Sequence, residues 1–315
     1  DEVISTIDST GDTGLYTAII IGQDGLPVIS YLDFTEFVLK MAKCNDAACS
    51  GGDETISVVD PRVAVGWYTS MAIGPGGFPV VSYYDVTRAD LKVAACNDAA
   101  CSGGDETVTA VDSADDTGWD TSIAMGVDGF PVISYYDITA TALKVAKCND
   151  AACAGEDELI TTLDSGGDVG WETSIAIGAD GFPVISYYDV TNSALKAAKC
   201  NDTACAGGDE LITTLDSVGD VGRHSSITVG PDGFPVISYY DVTNSALKIV
   251  RCNDTACADG DELIVTLDQG DRGTYCSVTM GSDGFPVISY RDDGAGDLRV
   301  FKAANPFMTD YWTRR

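Results

Sequence analysis

Short apolar runs alternate with turn residues along the whole chain, and no stretch carries a helical stripe. In residues 171–216 the runs are Thr173–Ile177, Phe182–Tyr188, Leu195–Lys199 and Asp209–Asp216. Each has strand length and is rich in β-branched or aromatic residues. Asp180-Gly181 supplies tight-hairpin chemistry. Asp189 to Ser193 supplies a turn whose Asp and Asn can bond their own backbone. The run Phe182–Tyr188 is apolar or aromatic on both alternating faces, which predicts a strand covered on both sides. Its proline falls at the strand start, where a missing N–H costs least.

The unit recurs. The proline of Gly-Phe-Pro-Val-Ile-Ser-Tyr-Tyr-Asp stands at Pro27, Pro79, Pro131, Pro183, Pro235 and Pro286, four steps of 52 residues and then one of 51. A period that long marks stacked supersecondary units that share a core. Four antiparallel strands per unit, covered on both faces, predict the blade of a propeller. Six units therefore predict an all-β, six-bladed β-propeller over residues 1–304. The last unit has three strands, the third over 298–303, and lacks the fourth. The first eight residues, Asp1 to Asp8, match Asp209–Asp216, so the N-terminal segment is expected to complete the sixth blade and leave no bare edge. Residues 305–315 match nothing in the repeat, and their Phe307, Tyr311 and Trp312 read as an aromatic tail that docks on the propeller, docks on a partner in an assembly, or leads into a further domain.

Charge narrows the partners. The net charge of -31, from 49 acids against 18 bases, argues against nucleic acid, whose affinity comes from Lys and Arg. It reads as a solubilising coat that can also draw cations or basic partners. No apolar run approaches ~18 residues, so no membrane insertion is expected. The chain opens inside a repeat without a leader pattern, which suggests a processed segment.

Ten of the eleven cysteines form five copies of Cys-Asn-Asp-x-x-Cys: Cys44/Cys49, Cys96/Cys101, Cys148/Cys153, Cys200/Cys205 and Cys252/Cys257. Zinc would need four ligands, each unit supplies two, and His224 is the single histidine. Five local disulfides are expected, and with them a secreted or cell-surface location. Each closes so small a ring that it contributes about 2 kcal/mol and pins a loop rather than the fold. Cys276 stands where other repeats have Thr or Ser and reads as a buried free thiol.

The strings Ile-Ser-Tyr-Tyr-Asp, Leu-Lys-Val-Ala and Thr-Leu-Asp-Ser-x-Gly-Asp-Val-Gly-x-x-Thr-Ser resemble a repeat of secreted bacterial and archaeal propellers, to about residue 304. The resemblance implies fold and exterior location, without an activity. A looser one is to sialidase-type and lectin propellers, through Asp168-Val169-Gly170-Trp171-Glu172-Thr173, which is similar to the sialidase Asp-box in a different spacing and place. The sialidase arginine triad has no counterpart, so no catalytic residue is carried over.

One end of the blades should carry the Asp-Gly hairpins and stapled loops, and the other the inter-blade loops, where the resembling propellers bind ligands. At that second end Trp67, Trp119 and Trp171 precede the inner strand, with Arg223 at the equivalent site in the fifth unit. The next residue is Tyr16, Tyr68, Asp120, Glu172, His224 or Tyr275. Aromatic faces beside acids suit a sugar, whose CH groups stack while carboxylates take hydroxyl protons. The alternative is that each Trp wedges between blades. An Asp and a Lys or Arg face each other across each hairpin, as in Asp189/Lys196, and read as turn capping with a local ion pair of at most about 1 kcal/mol if exposed. The acid pairs Asp112/Asp116, Asp164/Asp168 and Asp216/Asp220 are candidate Ca²⁺ ligands, since calcium takes six to eight oxygens.

These features predict a binding module, lectin-like, with repeated sites for a glycan or an extracellular protein. The alternatives are an interaction domain of a larger extracellular assembly and, behind it, a glycan hydrolase or lyase. Catalysis needs unlike residues at one point, and the departures from the repeat at Arg62, Arg223, His224, Arg272 and Arg291 are what an enzyme would use.

Overall fold

The alternating runs become strands and nothing else. The computed structural model describes residues 4–155, 157–258 and 260–304 and holds 23 strands and no helix among them. Blade 1 comprises β1 (Thr13–Ile21), β2 (Pro27–Asp33), β3 (Val38–Lys43) and β4 (Thr55–Asp60). Blade 2 comprises β5 (Val65–Ile73), β6 (Pro79–Asp85), β7 (Asp90–Ala95) and β8 (Thr107–Asp112). Blade 3 comprises β9 (Thr117–Met125), β10 (Pro131–Asp137), β11 (Ala142–Lys147) and β12 (Leu159–Asp164). Blade 4 comprises β13 (Val169–Ile177), β14 (Pro183–Asp189), β15 (Ala194–Lys199) and β16 (Leu211–Asp216). Blade 5 comprises β17 (Val221–Val229), β18 (Pro235–Asp241), β19 (Ala246–Arg251) and β20 (Leu263–Gln269). Blade 6 comprises β21 (Arg272–Met280), β22 (Pro286–Asp292) and β23 (Asp297–Lys302). Within every sheet neighbours in sequence are neighbours in space and antiparallel. The architecture is that of a six-bladed β-propeller.

The sixth sheet has three strands among the described residues. Val3 of the expected closing strand lies outside them, and residues 4–8 are irregular. They are held by blade 1. Ser5 Oγ donates to the Ala48 carbonyl at 3.2 Å, as Thr109 Oγ1 of β8 does to Ala152 at 3.4 Å. Asp8 accepts the Tyr31 hydroxyl at 2.8 Å, as Asp60 of β4 accepts that of Tyr83 at 2.7 Å. The segment thus plays a fourth strand's part toward blade 1, while Ile4 stays exposed and adds no packing of its own. The aromatic tail, residues 305–315, lies outside the described residues.

The chain packs as two compact units, residues 1–140 with 145–161, and residues 141–144 with 162–315. In the first, Leu39 and Met41 of β3 pack on Val65, Val81 and Tyr83 of blade 2. In the second, Leu195 and Ala197 of β15 pack on Val221, Ile237 and Tyr239 of blade 5. The core therefore lies between blades, which is why the second strand is apolar on both faces. Tyr83, Tyr135, Tyr187 and Tyr239 are fully buried. The approach is closest at the glycine of Val-Gly-x. A Cβ on Gly222 would sit 2.7 Å from the Leu195 Cα, and Gly222 has φ +107°. Only glycine meets both demands.

A polar latch crosses the same seams. The Asp ending one blade accepts the buried tyrosine of the next: Tyr187 to Asp164 at 2.7 Å and Tyr239 to Asp216 at 2.6 Å. Lys196 lies 2.5 Å from Asp164 and 3.6 Å from Asp189, and Lys248 repeats this with Asp216 and Asp241. The expected pair across the hairpin is thus part of a buried, three-way, blade-to-blade network. Its expected turn capping is present, with Asp189 Oδ1 accepting the Asn192 N–H at 2.9 Å.

All five expected disulfides form, Cys44–Cys49, Cys96–Cys101, Cys148–Cys153, Cys200–Cys205 and Cys252–Cys257, with Cα atoms 4.8 to 4.9 Å apart. Two features correct their reading as staples that merely pin surface loops. The second cysteine of each, Cys49, Cys101, Cys153, Cys205 and Cys257, is buried. Cys101 packs with Val81 and Tyr83, Cys153 with Ile133 and Tyr135, and Cys257 with Ile237 and Tyr239, so these sulfurs fill the apolar core. The same five cysteines have φ between 46° and 51°, in the left-handed region, because six residues must reverse direction to bring the second sulfur back over the first. Neither feature is written in the Cys-Asn-Asp-x-x-Cys spacing, which shows the ring but not the strand it folds onto.

The Asp of each Cys-Asn-Asp folds the loop: Asp202 Oδ1 accepts the Ala204 N–H at 2.7 Å and the Ala206 N–H at 3.2 Å. Lys199 joins Asp180 of the Asp-Gly hairpin at 2.9 Å, so hairpin and staple share one end of the blade, as expected. The inter-blade loop and the Asp189 turn share the other, where the Asp168 N–H meets Thr191 Oγ1 at 2.8 Å.

Candidate functional site

The inner strands begin earlier than the apolar pattern implies. β13 starts at Val169, four residues ahead of the expected Thr173, so Trp171 and Glu172 lie inside the strand rather than in the loop before it. The ladder accommodates them irregularly. Val169 faces Asp189, Trp171 faces Tyr188 and Ser174 faces Ser186, which inserts an extra residue on the β13 side in each interval. Such a bulge re-aims a side chain. Glu172 sits there with φ 52°, in the left-handed region.

The same bulge is written into every blade. Tyr16, Tyr68, Asp120, His224 and Tyr275 have φ between 50° and 55°. Each such non-glycine residue costs about 1–3 kcal/mol, so the fold carries a repeated strain at one end of its blades. In the first unit Tyr16 and Tyr68 stand with ring centroids 4.6 Å apart, and Asp120 follows on the next blade. In the second, the His224 and Tyr275 rings are 4.3 Å apart, the His224 N–H donates to Glu172 Oε2, and His224 Nδ1 lies 3.4 Å from Glu172 Oε1. Two arcs result, Tyr16–Tyr68–Asp120 and Glu172–His224–Tyr275. The bulge signal in the sequence is the constant two-residue offset from the glycine that opens each inner strand, Gly14, Gly66, Gly118, Gly170, Gly222 and Gly273, which reads as loop chemistry unless the pairing register is known.

Burial sets the protonation of the second arc. It pushes the Glu172 carboxyl up, against the pull of the His224 N–H and the Arg223 guanidinium. It pushes the His224 imidazole down to about 4, with Arg223 adding to the effect. His224 is therefore neutral at neutral pH and can both donate and accept a hydrogen bond. Burial, and then Asp120, hold the Tyr68 hydroxyl protonated.

The three tryptophans support the bulges from behind. Trp67 is half-buried against Tyr16, Phe34 and Tyr68, and Trp119 against Tyr68 and Tyr84. Trp171 Nε1 donates to Asp168 at 2.8 Å. Trp67 and Trp119 wedge against rings of the preceding blade, and the residue after each tryptophan takes the bulge. Arg223 occupies the Trp position in blade 5, with its guanidinium 4.7 Å from the Tyr188 ring centroid and Nε 3.8 Å from Asp220. Tyr188 and Asp293 were not legible as site residues. Tyr188 holds Asp220 at 2.8 Å, and Asp293 accepts Thr274 Oγ1 at 2.6 Å and lies 3.1 Å from Arg291 Nε.

The acid pairs singled out as calcium candidates are committed separately. Asp112 accepts Tyr135 and Asp116 accepts Tyr84, on different blades. Asp164 and Asp216 belong to the latch, Asp168 takes the Trp171 indole, and Asp220 takes Tyr188. Among the described residues no group of three or more His, Cys, Asp or Glu is placed to hold a metal ion. Cys276 is buried, as expected, its Sγ 2.9 Å from the His224 carbonyl where Ser225 Oγ meets that of Glu172, and burial pushes its thiol up to about 12.

No family model matches the chain, and no curated protein matches its sequence. Solved structures share its fold. A protein of unknown function from Dyadobacter fermentans superposes with a TM-score of 0.65 at 11% identity, over 91% of this chain and 92% of its own. The GH93 α-L-arabinofuranosidase of Fusarium graminearum, in complex with arabinobiose, gives 0.60 at 12% identity over 91% of both chains. The NanB sialidase of Streptococcus pneumoniae gives 0.56 at 8% identity over 90% of this chain and 66% of its own. At these identities the likeness is one of fold: this chain is a six-bladed β-propeller, an architecture on which function is decided by the site.

Proposed function

We propose that the bulge-bearing end of the blades is the glycan-binding surface of a secreted or cell-surface, lectin-like propeller. The observation that carries this reading is the repeated left-handed bulge, which spends conformational strain in every blade to hold a large polar or aromatic side chain beside its neighbour. The chemistry fits a saccharide: ring faces of Tyr16, Tyr68 and Tyr275 for CH groups, Asp120 and Glu172 for hydroxyls, and a neutral His224 that serves either role. The disulfides fit an oxidising exterior. A glycan array probed with the purified protein, once with Ca²⁺ and once with chelator, tests it. Binding that weakens on Tyr275→Ala supports the reading, and an array with no binding in either condition contradicts it.

A glycoside hydrolase is the second reading, favoured by one observation. Glu172 is a mostly buried carboxyl whose pKa burial raises, next to a neutral imidazole, and that is the direction in which a general acid is tuned. The arabinofuranosidase and sialidase likenesses agree with it at the level of fold. Release of sugar from arabinan or sialosides, abolished by Glu172→Gln, would establish turnover. Binding without release keeps the protein a lectin.

A further inference from the structure

We infer that saccharide recognition is concentrated in one asymmetric site on blades 4 to 6, built around Arg223 and Tyr275, and that its ligand is a neutral sugar presenting vicinal hydroxyls. The inference deepens the glycan reading above and rests on it.

Three observations lead there. First, this is where the repeat breaks. Arg223 replaces tryptophan, His224 follows it, and Arg291 stands where blades 2 to 5 have the second tyrosine of Ser-Tyr-Tyr-Asp. Arg223 pairs across the ladder with Tyr240, and Thr274 with Arg291, so the substitutions fall at one level of adjoining blades.

Second, the new groups are presented rather than consumed. Arg62 and Arg272 are hydrogen-bonded by neighbouring carboxylates. The Arg223 side chain lies over the Tyr188 ring and 3.8 Å from Asp220, that of Arg291 lies 3.1 Å from Asp293, and the two side chains stay 38% and 54% exposed. Tyr275 is 67% exposed, against half-buried Tyr68. A guanidinium beside a carboxylate offers donors and acceptors at the spacing of adjacent hydroxyls on a pyranose ring, and an exposed phenol offers the apolar face to stack on.

Third, the local charge selects against anions. Asp220 stands beside Arg223 and Asp293 beside Arg291, Asp271 accepts the Tyr240 hydroxyl at 3.4 Å, and the His224 imidazole is neutral at pH 7, on a chain of net charge -31. A uronate or sialate would enter against that field. A neutral sugar would not.

Restoring the repeat gives a test that should leave the fold intact. In Arg223→Trp the indole has the partners that Trp171 and Trp119 already use, a carboxylate three residues earlier (Asp220) and a tyrosine ring (Tyr188). Affinity for matched neutral and uronate oligosaccharides is measured for the wild type, Arg223→Trp and Tyr275→Ala, with melting curves to confirm folding. The inference expects neutral sugars to be preferred and each variant to lose about tenfold to a hundredfold in affinity. Two outcomes overturn it while leaving the glycan reading standing: retained affinity in both variants with loss on Tyr68→Ala, or preference for the uronate. If no saccharide binds the wild type, the glycan reading falls and this inference with it.

Discussion

The Tyr239 hydroxyl donates to Asp216 at 2.6 Å, joining the second strand of blade 5 to the end of blade 4. Both residues are buried, and Lys248 reaches the same carboxylate at 2.5 Å. Asp8, Asp60, Asp112, Asp164 and Asp268 take their tyrosines in the same way. A shared core would let blades slide as layers of similar apolar strands. A bond with defined length and angle fixes their register. Tyr239→Phe keeps the ring's packing and removes one bond to a charged group, so it should lower stability by about 1–3 kcal/mol. Urea unfolding measures the difference. No change would mean the latch contributes nothing net.

The latch also sets the pH range of stability. Its Tyr and Lys or Arg partners hold the carboxyls of Asp60, Asp164, Asp216 and Asp268 below the usual value against burial, which raises it. A lowered carboxyl contributes stability above its unfolded pKa of 3.8 that is lost as pH falls through the folded one. Burial, then the facing Asp, push the Tyr187 and Tyr239 hydroxyls up from 10.0, so their contribution is present below that value and lost as pH rises beyond it. A stability profile by thermal melting should be flat through neutrality and fall at both extremes. A decline centred near pH 7 would assign the dependence to other groups.

His224 offers a single-residue check of the site. Its imidazole resonances, followed by NMR, should titrate near pH 4, because protonation must occur in a mostly buried position beside Arg223. Glu172→Gln removes a nearby acid but leaves that burial, so the midpoint should stay well below 6.5. An ordinary midpoint in the wild type would show that the arc is open to water.

Gly222→Ala tests the close approach of blades. The new methyl would meet the Leu195 backbone at 2.7 to 2.8 Å on a residue with φ +107°. A loss of about 2–4 kcal/mol is expected, read from the denaturation midpoint. Cys276→Ser is the opposite case. Ser and Thr fill this place in other blades, the thiol is buried and pushed up to about 12, and the change should be nearly neutral. Native Cys276 should resist thiol reagents until the protein unfolds.

Much of the fold was legible because its signals are local or periodic. The 52-residue step of the prolines, the alternation around Tyr187 and the Cys200–Cys205 spacing each declare their structure within a few residues. What escaped depends on partners far along the chain. Lys196 was read with Asp189, seven residues away, while its shorter contact is with Asp164, 32 residues back on the preceding blade. The burial of Cys101 and Cys153 escaped for the same reason, since the tyrosines they pack on lie elsewhere in the repeat. The site was half legible. Glu172, His224 and Tyr275 stood out by position, but Gly-Trp-Glu reads as loop, and no composition signal announces that Glu172 is a left-handed residue inside a strand. For Trp67 and Trp119 the sequence left a sugar platform and an inter-blade wedge both open, and the wedge shows only once the rings of Tyr16, Phe34, Tyr68 and Tyr84 are in place.

The central claim is that ligands are taken at the bulge-bearing end of the blades. The most direct measurement is a crystal structure of the protein soaked with a neutral oligosaccharide that it binds on an array. The account predicts sugar density against the Tyr275 ring, within hydrogen-bonding distance of His224 or Arg223. Sugar seated instead on the disulfide-stapled loops, at Asn201–Ala204 or its copies, would contradict it.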